Sequence, residues 1–404
     1  MKLRVGLIGL GDQWQTMHRP ALRMLSERFD VRAIYCSVAK LAENAVAEFQ
    51  ADPVDGYQAM VARDDIDAVL ILEQTWLQYL PALAACRHGK AIYWAGGLDF
   101  DPIEDVGFKT AVEDAGIAFM ASFPRRFAPA TLRLKELIAT HLGSPRLLFC
   151  HKRLSLVEQQ TRLSRRGDPA DPIRSRHGEN LRDDPGDSIA HGHVEAQATM
   201  RNELIELIDW CSYVVGGLPE SVISANCCPN TAWDYRALSL RFGSESLQPA
   251  LQLGQAAGQW EKRPSPIRSR SKPISPSAVE TQSAASPAPP RPAATAQISC
   301  GNYIPAKWEE AIGFRPPAGM QVCCQHGVAF IDLPGTLVWF DDAGRHQESL
   351  ESESPVGEKM LGQFHRAVTS LVRNLSGLED AFRAASILKA AETSSESGSR
   401  MMIP

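Results

Sequence analysis

Directly after the apolar run Leu3 to Ile8, the chain reads Gly9-Leu-Gly11-Asp-Gln-Trp14. A glycine pair at this spacing, opening a helix behind a strand, suits a dinucleotide. The first glycine permits a tight turn, the second lets a pyrophosphate approach the backbone, and helix N-terminal amides meet the anion. The third glycine of the pattern, which allows close helix–strand packing, is here Trp14. Gly9, Gly11, Asp12, Gln13 and Trp14 are the candidate phosphate contacts; a tight turn that binds nothing is the competing reading. At the end of the next apolar run, where an acid would take ribose hydroxyls, stand Cys36-Ser37, with Lys40 one helical turn further. Without the acid there is no repulsion against a 2′-phosphate, and Lys40 offers it a cation. The cofactor is then NAD or NADP, with the balance tilted toward NADP. A plain helix cap at Ser37 explains that residue equally well.

Other reactive types are less constrained. His191-Gly-His193 with Glu195 would align metal-ligand chemistry on one face of a strand, but the glycine-rich setting reads as a polar loop and no metal is assigned. His18 reads as a packing or capping histidine. Tyr93 and Trp94 could stack near a nicotinamide ring or simply pack within a sheet. The nine cysteines include the adjacent pairs Cys227-Cys228 and Cys323-Cys324. Neither has the Cys-x-x-Cys spacing of a zinc site, so buried free thiols are expected.

The elements that must position these residues alternate as an α/β fold requires. Strands are expected at Leu3 to Ile8, Val31 to Cys36, Ile66 to Leu72, Ala91 to Trp94 and Ile117 to Ala121. Helices fall between them at Pro20 to Arg28, Ala39 to Phe49, up to Arg87, and Ile103 to Ala115. Residues 1–123 form a doubly wound, parallel, dinucleotide-binding domain in this reading, and 124–404 a second domain. The latter has an amphipathic segment from Phe127 to Leu142 and a helix from Glu203 to Val215 ended by Gly216-Gly217. Short strands follow near Ser221 to Ala225, Ala237 to Phe242, Val328 to Leu333 and Thr336 to Phe340. Helices at Glu358 to Asn374 and Glu379 to Ala391 finish it. Residues 160–195 read as a long loop. Residues 261–299 read as a disordered Pro/Ser/Ala-rich insertion, with eight prolines between Pro264 and Pro292. A net charge of -5 argues against nucleic acid as partner. No apolar run nears the roughly 20 residues of a membrane span, so a cytoplasmic protein is expected.

The order of these segments resembles the Gfo/Idh/MocA family of sugar, cyclitol and biliverdin-type oxidoreductases. Gly6-Leu-Ile-Gly-Leu-Gly11 with His18 looks like its opening, and Asp67-Ala-Val-Leu-Ile-Leu72 like the strand before its nicotinamide loop. Ala84-Ala-Cys-Arg-His-Gly-Lys90 is similar to its helix leading to the catalytic strand. Arg125-Arg-Phe-Ala-Pro129 and the stretch from Glu379 to Ser395 match further segments. The resemblance implies an N-terminal Rossmann domain and a C-terminal α+β domain with an open, mostly antiparallel sheet. It also implies a homo-oligomer and a polyhydroxylated small-molecule substrate.

The same alignment exposes departures. Where the family carries Glu-Lys-Pro, the chain has Ala95-Gly96-Gly97, so Gly96 replaces the lysine. The family's aspartate and histidine correspond to Asn202 and Glu206, while Asp209 keeps a later acidic position. Glu73-Gln74 replaces a small residue and proline, and Gln78 a frequent histidine. Two functions remain open. One is an NAD(P)-dependent oxidoreductase with Glu206 as acid/base, Asn202 and Asp209 positioning hydroxyls, and Glu73 and Gln74 beside the cofactor. The other is a catalytically inactive binding or scaffold protein that kept the fold.

Overall fold

The computed structural model describes residues 2–73, 77–98, 100–154, 185–228, 234–243, 293–302, 318–351, 353–370 and 376–403, with backbone alone for 185–196 and 376. Six strands form the first sheet: β1 (Leu3–Ile8), β2 (Phe29–Tyr35), β3 (Asp52–Pro53), β4 (Ala68–Ile71), β5 (Ala91–Trp94) and β6 (Phe119–Ala121). Their spatial order is β3-β2-β1-β4-β5-β6, with every pairing parallel. Helices α1 (Arg19–Met24), α2 (Ala39–Phe49), α3 (Tyr57–Val61), α4 (Leu80–Arg87) and α5 (Val106–Ala115) connect them. All four residues of β4 and of β5 are buried. That is why these strands read as continuous apolar runs: a parallel sheet is covered on both faces. Strand order reverses between β1 and β4, and ligands of such sheets bind outside the carboxyl ends of the strands at that switch point.

Trp14 shapes the first crossover. Its ring is buried, 5.9 Å from that of Phe49 on α2. From Trp14 to His18 the backbone winds as a π-helical turn before α1 begins. A glycine there would let helix touch strand; an indole needs more room, and the wider turn provides it. A groove of about 880 Å³ lies between α1 and α2, with Trp14, Leu22 and Phe49 in its wall. Trp14→Ala is expected to cost about 3–5 kcal/mol in a urea titration, the usual range for truncating a buried aromatic. A loss below about 1 kcal/mol would mean the indole is not a packing element.

The second sheet contains β7 (Pro145–Arg153), β8 (Pro219–Cys227), β9 (Tyr235–Phe242), β10 (Ala294–Gly301), β11 (Met320–Cys324), β12 (Val328–Asp332), β13 (Thr336–Asp341), β14 (Gly344–Ser349) and β15 (Met401–Met402). Among the described residues the order is β14-β13-β12-β11-β7-β10-β9-β8-β15. The β7–β10 pair is parallel and the others are antiparallel. The turn α6 (Pro124–Phe127) and helix α7 (Pro129–Leu137) lead from the first sheet to the second. The long helix α8 (Pro185–Val215) buries Leu204, Leu207, Ile208, Trp210 and Cys211 in the same core as Leu148 and Cys150 of β7. Helix α9 (Val356–Thr369) returns to the first domain, where Phe364 packs 5.6 Å from Tyr93. Helix α10 (Ser376–Ser397) packs against α8 and β8.

Three expectations change. Residues 185–195, read as loop from their polar composition, are the first turns of α8; the buried half beyond Met200 carries the helix back over residues with weak helical preference. Residues 160–184 lie outside the described residues. The stretch 294–299, assigned to the low-complexity insertion, belongs to central strand β10, with Ala294, Ala296, Ile298 and Cys300 buried in alternation. Its alanines resemble the preceding Pro/Ser/Ala composition, and 261–292 lie outside the described residues. Cys227 and Cys228 are exposed rather than buried: Cys227 is an exposed position at the end of β8, and Cys228 turns left-handed (φ 50°) just beyond it. Among the described residues, no helix is long and apolar enough to cross a membrane.

Candidate functional site

The glycine-rich turn sits at the carboxyl end of β1. Gly9 has φ +74°, and a Cβ there would lie 2.6 Å from the Cβ of Glu73. A Cβ on Gly11 would lie 2.7 Å from the carbonyl oxygen of Leu72. Both positions therefore need glycine, for conformation and for the close approach of the β4 end. Trp14 faces the α1–α2 groove, so its indole leaves the turn uncovered. Asp12 and Gln13 are exposed on the turn, and the carbonyl of Gln13 accepts from the amides of Met17 and His18.

At the end of β2, Cys36 is half-buried and Ser37 exposed. The α2 cap is Val38, with no side-chain capping bond, so Ser37 is not the helix cap. The Lys40 side chain is 79% exposed, and its ammonium pairs with Glu43 at 3.4 Å on its own helix. Gln74 lies outside the described residues.

His18 is fully buried, with its Nε2 3.3 Å from the Tyr93 hydroxyl. Burial lowers its pKa to about 4, while Nδ1 has no partner. Tyr93 is likewise buried, and burial raises its phenol. Both residues are thus packing groups, Tyr93 within β5 and His18 against its ring. The Trp94 indole is also buried and donates to the carbonyl of Gly97.

The α8 residues meet the turn that follows β5. The amide of Leu98 donates to Asn202 Oδ1 at 2.8 Å, fixing α8 two residues beyond Gly96. One helical turn along the same face, Glu206 pairs with Arg125 of α6. The same guanidinium also holds Glu203 at 2.5 Å. Glu206 is pushed up to about 7, first by burial and then by Glu203 and Asp209; Arg125 and Lys152 oppose the rise. Two carboxylates on one guanidinium leave an excess negative charge, so the burial penalty prevails for one of them. Asp209, only 3% exposed, sits in the fork of Arg126, whose Nε is 2.7 Å from Oδ2. Burial raises its carboxyl to about 6 against the pull of Arg126. The other arm of Arg126 reaches Asp380 of α10 at 2.7 Å.

A cavity of about 400 Å³ adjoins Arg125, with His151, Lys152 and Arg153 of β7 and Asp332 of β12 in its wall. Among the described residues no group of three or more His, Cys, Asp or Glu side chains could hold a metal. The backbone around His191, His193 and Glu195 is helical, so the strand geometry that would align them is absent. The adjacent arginines Arg125 and Arg126, which hold α8 in place, were not singled out as site residues from the sequence. They entered the sequence reading only within the segment Arg125-Arg-Phe-Ala-Pro129, and nothing local to it points to α8.

Residues 3–94 match the profile of an oxidoreductase family with an NAD-binding Rossmann fold, Gfo/Idh/MocA. Over these residues the first sheet and its helices resemble the NAD-binding domain of that family. No curated protein matches the chain in sequence. The whole chain shares its fold with solved structures. One is levoglucosan dehydrogenase in complex with NADH and levoglucosan (14% identity, all of both chains covered, TM-score 0.67). Others are the aldose-aldose oxidoreductase of Caulobacter crescentus complexed with glycerol (13%, all of both chains, 0.66) and myo-inositol 2-dehydrogenase from Lactobacillus plantarum (16%, all of both chains, 0.62). The parallel first sheet and mostly antiparallel second sheet are the architecture expected from the Gfo/Idh/MocA resemblance.

The dinucleotide implied by a Gfo/Idh/MocA domain fits the residues present. Gly9 and Gly11 let the turn lie against the end of β4, where the Glu73 side chain approaches Gly9, and the Trp14 ring packs toward Phe49 of α2. Gly11 and the exposed residues Asp12 and Gln13 of the turn would hold a diphosphate at the carboxyl end of β1.

Proposed function

We propose that the chain is an NAD(P)-dependent oxidoreductase of a polyhydroxylated small molecule, with Glu206 as the proton-transfer group. The observation that carries this reading is the Leu98–Asn202 hydrogen bond. It ties Asn202 to the turn after β5, at the carboxyl end of the first sheet where the cofactor's reactive end would lie, and Glu206 follows one helical turn along α8. A carboxyl near pH 7 is suited to take or give the proton of a hydroxyl being oxidised or a carbonyl being reduced. Nicotinamide, when bound, supplies hydride acceptance and donation. Asn202 orients α8, Arg125 holds Glu206 in place, and Asp209 anchors the helix through Arg126. His151, Lys152 and Asp332 offer hydrogen-bonding groups for substrate hydroxyls in the adjoining cavity. The division at residue 123, a homo-oligomer through the second sheet and a cytoplasmic location belong to the same proposal.

A second reading rests on the Arg125 pairings. A guanidinium between Glu203 and Glu206 is a structural clamp as much as a catalytic setting. The chain would then be a binding or scaffold protein. Titration of the purified protein with NADH, followed by screening polyols for turnover, separates the two. Micromolar binding with saturable turnover supports the enzyme; binding without turnover of any polyol favours the clamp, and no binding removes the oxidoreductase reading.

A further inference from the structure

We propose that Glu73, at the end of β4, is the ribose acid of this dinucleotide site and selects NAD over NADP. The proposal rests on the oxidoreductase reading above and assigns its cofactor preference.

A Rossmann site ordinarily draws this acid from the end of the second strand, beside the first glycine. Here that position is Cys36. The amide of Gly9 donates to the carbonyl of Tyr35 at 2.8 Å, so the first glycine and the end of β2 are direct neighbours. Glu73 enters this corner from the opposite side. Its Cβ lies 2.6 Å, and its Oε2 3.2 Å, from where a Gly9 side chain would begin. The absent side chain at residue 9 is therefore what admits the Glu73 carboxylate. The Cys36 thiol registers the same arrangement: burial raises it first, and the Glu73 charge raises it further.

A carboxylate in this corner accepts hydrogen bonds and donates none. It matches the vicinal hydroxyls of an adenosine ribose and repels a 2′-phosphate of charge near -2. The cation that favoured NADP from sequence does not offset this. Lys40 projects into solvent and already pairs with Glu43.

The test is a fluorescence titration of wild type, Glu73→Gln and Glu73→Ala with NADH and NADPH, with thermal melting to confirm folding. Wild type is expected to prefer NADH by at least about tenfold, the scale of one charge-assisted hydrogen bond. Both variants should bind NADH about tenfold or more weakly and lose most of the preference. An unchanged preference in both variants would overturn the assignment while leaving the oxidoreductase reading intact. Tighter binding of both nucleotides by Glu73→Ala would also overturn it, since the carboxylate would then be opposing the diphosphate. If wild type binds neither nucleotide, both this assignment and the reading beneath it fail.

Discussion

Arg126→Ala is expected to lower stability by about 3–5 kcal/mol, read as a shift in the urea midpoint with little change in slope. The guanidinium lies between two carboxylates drawn from different parts of the chain, Asp209 of α8 and Asp380 of α10. Its planar fork holds both Asp209 oxygens, a geometry that lysine cannot reproduce. The carbon of that guanidinium also lies 4.7 Å from the Phe123 ring centroid and 5.4 Å from that of Tyr213. Truncation leaves Asp209 in a site that already raises its carboxyl, with Asp380 as a like-charged neighbour. The cost is therefore the exposed penalty of a buried charge more than the worth of the pair. Replacing both partners, as in Arg126→Met with Asp209→Leu, should recover most of the loss. A single-variant loss below about 1 kcal/mol would show that the fork is not what seats α8.

The first domain was legible because its cause is local. Strands buried on both faces must be apolar throughout, and glycines must stand where the turn needs φ > 0 or backbone contact. Gly9 and Gly11 satisfy both demands within a few residues. The second domain was less legible. Strand β10 owes its existence to β7 and β9 on either side, and its Ala-Thr-Ala-Gln start carries little strand preference alone. The polar first turns of α8 likewise depend on the buried half that follows. At the site, alignment placed Asn202 and Glu206 on one face of the helix, at the positions of the family's aspartate and histidine. It could not show that Arg125 and Arg126, some eighty residues earlier, would pair with the acids of that helix. Nor could it show that Glu73 would reach across Gly9 toward β2. Ion pairs between distant segments leave no periodicity in the sequence.

Glu206→Gln separates the catalytic and structural meanings of one carboxyl. The variant should fold, because Glu203 remains to pair with Arg125. If Glu206 transfers the proton, kcat should fall by about 10²- to 10⁴-fold, the usual range for a general acid/base. Turnover that is undiminished would remove Glu206 from the mechanism. The effect on stability has its own sign. In the folded chain the carboxyl titrates near 7, above its ordinary value of 4.5, so its contribution is fully present below that ordinary value and is lost as pH rises through 7. Asp209, raised to about 6, behaves alike but completes most of its change at lower pH. His18 runs the other way: its folded pKa of about 4 lies below the ordinary 6.5, so its burial destabilises in acid and ceases to matter above 6.5. Between pH 6.5 and 8 the wild-type urea midpoint should therefore decline, chiefly through Glu206, and that decline should flatten in Glu206→Gln. Parallel curves for the two proteins would mean that Arg125 keeps the carboxylate ionised throughout. Glu206 would then be half of a clamp, with no proton to exchange near neutral pH.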